Sequence, residues 1–84
     1  MEPSIKLQIS EDTRLLLEKR MILIEDVRRT IEYAESTGDK LENPATGHSL
    51  ASFRSACVTY WVEYSRLGDE FVVHDAYFHR MEVR

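Results

Sequence analysis

Apolar and polar residues alternate first with the period of a strand and then with that of a helix. Residues 5–9 alternate as in a short half-buried strand. Ser10 follows as the predicted N-cap of a helix over residues 11–20, because its hydroxyl can accept from a free backbone N–H in the first turn. The leucines that we expect this helix to bury are Leu15, Leu16 and part of Leu17.

Four adjacent apolar residues separate this helix from a second one. Residues 21–24 cannot all face one side of a helix, and we therefore predict a buried turn there. Apolar residues then recur at helical spacing through residues 25–36, and Gly38 is the predicted C-terminal stop. One continuous helix over residues 11–37 is the alternative, since neither glycine nor proline interrupts that segment.

From residue 39 onward the period changes to that of strands. Residues 40–42 are predicted to form a short strand, and proline and glycine in residues 43–47 indicate a turn. Residues 48–54 follow as a second strand, and residues 55–56 are interpreted as a tight connection.

The clearest strand covers residues 57–65, where β-branched and aromatic residues dominate. One face carries Val58, Tyr60, Val62 and Tyr64, and the other carries Thr59, Trp61 and Glu63. Residues 66–70 close a hairpin, and residues 71–83 return as a long strand. Asp75 interrupts the apolar face of that strand, which predicts a β-bulge at residues 74–76.

This order of elements predicts a single α+β domain over residues 1–84. Two N-terminal helices are expected to pack on one face of a three- to four-stranded antiparallel sheet, with the short N-terminal strand as a possible addition. The other face of the sheet would carry Trp61, and an exposed apolar surface of that kind usually binds a partner. Trp61 is therefore the candidate interface residue.

Composition and charge narrow the function classes. A net charge of −4 argues against a protein that binds nucleic acid by neutralising phosphates. No apolar run has the length of a membrane span and no signal peptide is recognisable, so we expect a soluble cytoplasmic protein. The single cysteine, Cys57, excludes an intramolecular disulfide and is interpreted as a small core residue. The sequence gives no reason to assign a cofactor or a small-molecule ligand.

One polar cluster on the last two strands could carry chemistry. Its members are His74, Asp75, His79, Arg80 and Glu63, with His48 and Cys57 as more distant candidates. On a regular strand His74 and His79 would point to opposite faces, but a one-residue bulge between them would bring them to the same face. The alternatives are a divalent-metal site, or a metal-independent nuclease that uses His79 and Glu63 as acid and base with Arg80 and Tyr60 on a phosphate. Hydrogen-bonded structural histidines are the more frequent arrangement.

Several segments resemble a known family. They are IEYAE at residues 31–35 before Thr37-Gly38, Asn43-Pro44 with Thr46-Gly47, VTYWVEY at residues 58–64, and Ala76-Tyr77 with His79-Arg80-Met81. From Ile24 onward, roughly three-quarters of the chain, the sequence resembles a small domain of unassigned function from anaerobic bacteria. That domain is associated with iron–sulfur and flavin-dependent oxidoreductases of the pyridine nucleotide-disulfide or glutamate-synthase type. The resemblance implies an accessory module that sits beside a redox centre, and it assigns no catalytic residue.

Together these patterns predict a non-catalytic binding or interaction domain with a protein partner or with itself, such as a homodimer or a module docked to a larger oxidoreductase. The alternative is a metal-binding or hydrolytic site built on His74, His79 and Glu63.

Overall fold

The structure is a computed structural model that describes residues 5–55 and 58–80, apart from the side chain of Arg80. Within these residues the chain forms two helices and five strands. In chain order they are β1 (Lys6–Ile9), α1 (Glu11–Lys19), α2 (Ile24–Thr37), β2 (Lys40–Asn43), β3 (His48–Ser55), β4 (Val58–Leu67) and β5 (Glu70–Arg80). No helix in this described part is long and apolar enough to cross a membrane.

The two helices are separate elements with the predicted caps. Ser10 Oγ accepts from the backbone N–H of Thr13 at 3.2 Å, which confirms Ser10 as the N-cap of α1. The break falls at Met21, whose φ of 59° is left-handed and cannot continue a right-handed helix. At the end of α2, Gly38 has a φ of 76°, a conformation that costs glycine little. The alternative of one helix over residues 11–37 is therefore wrong.

The sheet is mixed, with strand order β1-β5-β4-β3-β2. Strands β2 to β5 form antiparallel neighbours, whereas β1 runs parallel to β5 with Leu7 opposite Phe71. The predicted α+β class is confirmed, but the prediction of three or four antiparallel strands is wrong, because the described sheet has five strands and one parallel pair. Parallel strands need a long crossover connection, which here is all of the chain between β1 and β5. The local alternation of apolar and polar residues therefore does not indicate that β1 pairs with β5.

Both helices contribute to a core on one side of the sheet, here called the helix face. The core joins Leu17, Val27, Ile31 and Ala34 to the sheet residues Ala51, Val62, Tyr64, Phe71, Val73 and Ala76. Each large side chain buried in this way stabilises the fold by about 1.5–3 kcal/mol relative to an exposed one. The predicted inward face of the clearest strand is confirmed at Val62 and Tyr64, which are both buried.

Two predictions about burial near α1 are wrong. Leu15 is 52% exposed and Leu16 is half-buried, whereas Leu17 reaches the core and is 1% exposed. Successive helical residues point about 100° apart, so only one of three adjacent leucines can face the sheet. The predicted buried turn at residues 21–24 also fails, since Ile22 is the single buried side chain of that segment.

The predicted β-bulge of the last strand is confirmed. Glu63 of β4 is opposite Asp75, and Tyr64 is opposite Val73, which leaves His74 as the extra residue. The extra residue shifts the alternation of β5 by one position. Apolar side chains before and after the bulge can therefore both face the helices.

The turn between β4 and β5 lies wholly within the described residues, whereas the segment between β3 and β4 lies outside them. Gly68 has a φ of 65° and opens the two-residue turn between β4 and β5, as the predicted hairpin requires. On the other side of β4, Ser55 is opposite Val58. The predicted connection at residues 55–56 is wrong for Ser55, which ends β3 as a paired residue. Ala56 and Cys57 lie outside the described residues, and so does the predicted core position of Cys57.

A polar contact fastens α2 to the sheet. The hydroxyl of buried Tyr64 and the ammonium of Lys40 each donate to Oε2 of Glu35 at 2.6 Å. Burial alone would raise the pKa of Glu35, but the hydrogen bonds from Lys40 and Tyr64 outweigh it and lower that pKa. Burial, and then the bond to the Glu35 carboxylate, raise the pKa of Tyr64 well above its usual range. The contact joins α2 to β4 and β2.

Candidate functional site

The face of the sheet opposite the helices is here called the open face. Among residues 5–55 and 58–80, both helices pack on the helix face, and neither covers the open face. Three rows of side chains cross it from strand to strand: Leu41, Leu50 and Glu63; then Ser52, Trp61 and Tyr77; then Arg54, Thr59 and His79. A polar end lies beyond the first row, with His48, Ser65 and His74.

An apolar strip occupies the centre of the open face. It consists of Leu41, Leu50, Trp61 and Tyr77. The Leu41 side chain is 67% exposed, and the rings of Trp61 and Tyr77 lie near parallel at 14° with centroids 6.4 Å apart. Together with Thr59 and His79, the strip lines a shallow cleft. The predicted interface residue Trp61 is therefore part of this apolar strip, where it is half-buried.

At the polar end two imidazole rings stack on each other. The rings of His48 and His74 lie at an interplanar angle of 10° with centroids 3.8 Å apart. His48 Nδ1 donates to Oε2 of Glu63 at 2.8 Å, and His74 Nε2 is hydrogen-bonded to Ser65 Oγ at 2.8 Å. The bulge is the reason that His74 reaches this side of the sheet, because it is the extra residue of β5.

The surroundings of the stack act on the pKa of His74. Desolvation and the nearby His48 lower the pKa of His74, while the Glu63 carboxylate acts in the opposite direction. The hydrogen bond from His48 Nδ1 to Glu63 fixes the orientation of the His48 ring.

The structure divides the predicted polar cluster. Asp75 Oδ1 accepts from Arg20 Nη1 at 2.9 Å and from the backbone N–H of Ala76 at 2.8 Å, which ties it to the end of α1. His79 lies on the open face, where it meets the edge of the Tyr77 ring at a centroid distance of 5.7 Å. His74 and His79 thus share a face, as the predicted bulge requires, but they belong to different contacts. Arg80 ends β5, and its side chain lies outside the description.

The chemistry open to this arrangement is limited. Within the described residues, no group of three or more His, Cys, Asp and Glu side chains could hold a metal ion. Glu63 is paired with His48, so the acid–base pair of Glu63 and His79 that the nuclease hypothesis needs is not formed. The surface offers the imidazole of His48, which Glu63 orients, the imidazole of His74, whose pKa is lowered, and a band of apolar and aromatic side chains.

His48 is the contact residue that the sequence pattern ranked too low. A signal for it was present, because the connection predicted at residues 55–56 would pair residue 54 with residue 57, and counting from there brings His48 opposite Glu63. In the structure Ser55 is opposite Val58, which places His48 level with Ser65 and diagonal to Glu63. Long side chains reach diagonal neighbours in a sheet.

Comparison of this chain with protein-family models, with curated proteins and with solved structures gives no match. The resemblance to accessory domains of redox enzymes therefore stays a prediction.

Proposed function

We propose that this chain is a non-catalytic interaction domain that binds a protein through its open face. The observation that supports the proposal most directly is the apolar strip, which crosses strands β2 to β5 on the side that neither described helix covers. Cores of protein interfaces are rich in tyrosine and tryptophan and poor in charged residues. Trp61 and Tyr77 have that character, and residues of this kind contribute most of the binding energy in many interfaces.

The distribution of charge agrees with this role. The chain has fifteen acidic residues and a net charge of −4. Seven of the carboxylates belong to the two helices, on the opposite side of the sheet: Glu11, Asp12, Glu18, Glu25, Asp26, Glu32 and Glu35. On the open face the Glu63 carboxylate is bound by His48. The exposed Arg54 lies one row away from Trp61, so a partner surface can approach the centre of this face without meeting a strongly charged layer.

A larger redox enzyme is the partner class that the family resemblance suggests, and the cytoplasm is the location that goes with it. In that arrangement the domain would hold no redox centre of its own. It would contribute a docking surface beside one.

Site-specific photo-crosslinking in cells tests whether this face touches a protein. A photoreactive benzoylphenylalanine replaces Leu41 on the open face in one variant and Leu15 on the exposed side of α1 in the matched control. We expect covalent adducts from position 41 and none from position 15. If position 41 forms no adduct with any polypeptide, or if both positions react alike, the proposed function is wrong.

A hydrolytic or metal-dependent site is the second candidate, and the bond between His48 and Glu63 favours it. An imidazole held by a carboxylate is the usual arrangement of a general base. In this version His48 takes the role that the sequence pattern assigns to His79. It requires turnover of RNA or of an activated ester that a His48→Gln variant loses, whereas the interaction domain predicts no turnover by the wild type.

A further inference from the structure

We infer that the partner on the open face is a second copy of this chain, packed sheet against sheet. The two copies are related by a two-fold axis that lies between the sheets and runs perpendicular to the strands, along the row of Ser52, Trp61 and Tyr77. This inference rests on the proposed function, because it names the occupant of the same face. Two sheets pack with their faces about 10 Å apart, which suits a strip of leucine and aromatic side chains.

The size of the open face is sufficient for such a dimer. Four strands about 4.8 Å apart, each with about eight residues rising 3.3 Å, give a face on the order of 500 Å². Two copies would bury on the order of 1,000 Å², which is about the minimum for a biological interface and below the range of about 1,200–2,000 Å² of stable ones. We therefore expect a weak, reversible dimer.

The charges on the face complement each other under this symmetry. With a two-fold axis along the row of Trp61, the row of Glu63 in one copy lies over the row of Thr59 in the other copy, and the reverse. Arg54 lies one row to one side, and Glu63 lies one row to the other. Arg54 of each copy therefore lies over Leu50 of the other, one strand or about 4.8 Å away from Glu63. The long Arg54 side chain can reach the Glu63 carboxylate at that diagonal distance, although Glu63 also binds His48 within its own copy. Trp61 lies near its own counterpart at the axis.

The same two residues do not meet within one copy. Arg54 is opposite Thr59 and Glu63 is opposite Leu50, so four residues along the strand separate the two rows. That spacing is about 13 Å at the usual rise of a strand. A coupling between Arg54 and Glu63 would therefore report a contact between two chains.

Charge reversal with sedimentation equilibrium tests the arrangement. The variants are Arg54→Glu, Glu63→Lys and the double variant, which keeps the net charge of the wild type. Arg14→Glu on exposed α1 is the matched control, since it changes the net charge by the same amount as Arg54→Glu. Circular dichroism of each variant shows whether it is folded.

We expect the wild type to reach twice the 9.9 kDa mass of the monomer as its concentration rises from micromolar to millimolar. Each single reversal on the open face should weaken association about tenfold, and the double variant should recover most of that loss. Arg14→Glu should have an effect of less than about threefold. A folded double variant that associates no better than either single variant would overturn this symmetry.

A wild type that stays monomeric up to millimolar concentration would overturn the inference as a whole. The crosslinking result then separates the two proposals. Adducts between position 41 and a different polypeptide would leave the interaction domain standing with another partner. No adduct at all would remove both.

Discussion

At the scale of single residues, the stacked ring of His48 acts on the pKa of His74. The ring centroids are 3.8 Å apart, so a positive charge on His48 disfavours one on His74. Desolvation is the larger cause, and both lower the pKa of His74, while the Glu63 carboxylate acts in the opposite direction.

His74 should therefore make the stability of the domain depend on pH. Its pKa in the folded state is lowered, first by burial and then by His48, from 6.5 in the unfolded chain. The unfolded chain then binds the proton more readily, so this contribution to the free energy of unfolding is complete above pH 6.5 and is lost as the pH falls below it. Urea unfolding at about pH 7.5 and about pH 5.5 should show a smaller loss in His74→Gln than in the wild type.

Within the described residues, the titratable groups that face His74 or lie next to it are His48, Glu63 and Asp75, and Arg20 binds Asp75. The other neighbours are uncharged. They are Ser65 of β4, Gln8 of β1, the N-cap Ser10 and Thr13 of α1. Titration of the His74 ring by proton NMR should shift to a higher pKa in a His48→Gln variant, because the neighbouring charge is gone. His79→Gln, on the same face but away from the stack, serves as the control. An unchanged titration in His48→Gln would contradict this account.

At the scale of elements, the hydroxyl of Tyr64 carries part of the attachment of α2 to the sheet. Tyr64→Phe removes the 2.6 Å bond to Glu35 and leaves the ring in the core. A hydrogen bond to a charged group contributes about 1.5–3 kcal/mol when buried, and partial exposure of Glu35 reduces the expected loss to about 1 kcal/mol. Chemical denaturation near neutral pH measures this difference.

A control and a dependence on pH make this prediction sharper. Tyr33→Phe on the exposed side of α2 should change the free energy of unfolding by less than about 0.5 kcal/mol. The pKa of Glu35 is lowered from 4.5, so its charged contacts stabilise the fold above that pH and are lost as the pH falls below it. The cost of Tyr64→Phe should therefore shrink in acid, and an equal cost at neutral and acid pH would contradict the prediction.

The antiparallel part of the sheet could be predicted from the sequence, because hairpins are local. The two-residue turn at Gly68 sets Leu67 opposite Glu70, and the pairing follows by counting until the bulge at His74. Asp75 indicated the bulge, because a regular strand would have placed its carboxylate on the same face as the apolar side chains of Phe71 and Val73. Counting from the connection predicted at residues 55–56 gives a pairing of β3 with β4 that differs by two residues from the observed one, because Ser55 belongs to β3 and is opposite Val58.

Other features depend on how distant elements pack, and local pattern could not predict them. β1 pairs with β5 across nearly the whole chain, and the helical phase that selects Leu17 over Leu15 is set by the sheet below it. The contact of Asp75 with Arg20 has the same origin, because Arg20 reaches the part of β5 that extends beyond β1. In the sequence alone, Asp75 therefore looked like a neighbour of the histidines.

At the scale of the whole molecule, the domain has two unlike sides. The helix side carries seven carboxylates, whereas the centre of the open face carries leucine and aromatic side chains. A domain of 84 residues has a small core, and added burial on the open face would contribute a large share of its stability. Folding and association should therefore be coupled in the dimer.

This coupling predicts that the melting temperature rises with protein concentration. For a dimer that unfolds to two chains, a tenfold higher concentration adds about 1.4 kcal/mol to the free energy of unfolding. An unfolding entropy of about 2.1 cal/mol/K per residue over two chains converts this to about 4 °C per tenfold change. The slope should persist in Arg14→Glu, whereas in Glu63→Lys it should begin only at about tenfold higher concentration. Scanning calorimetry over a hundredfold range of concentration measures both. If the wild-type melting temperature does not depend on protein concentration, the chain folds as a monomer and no second copy covers its open face.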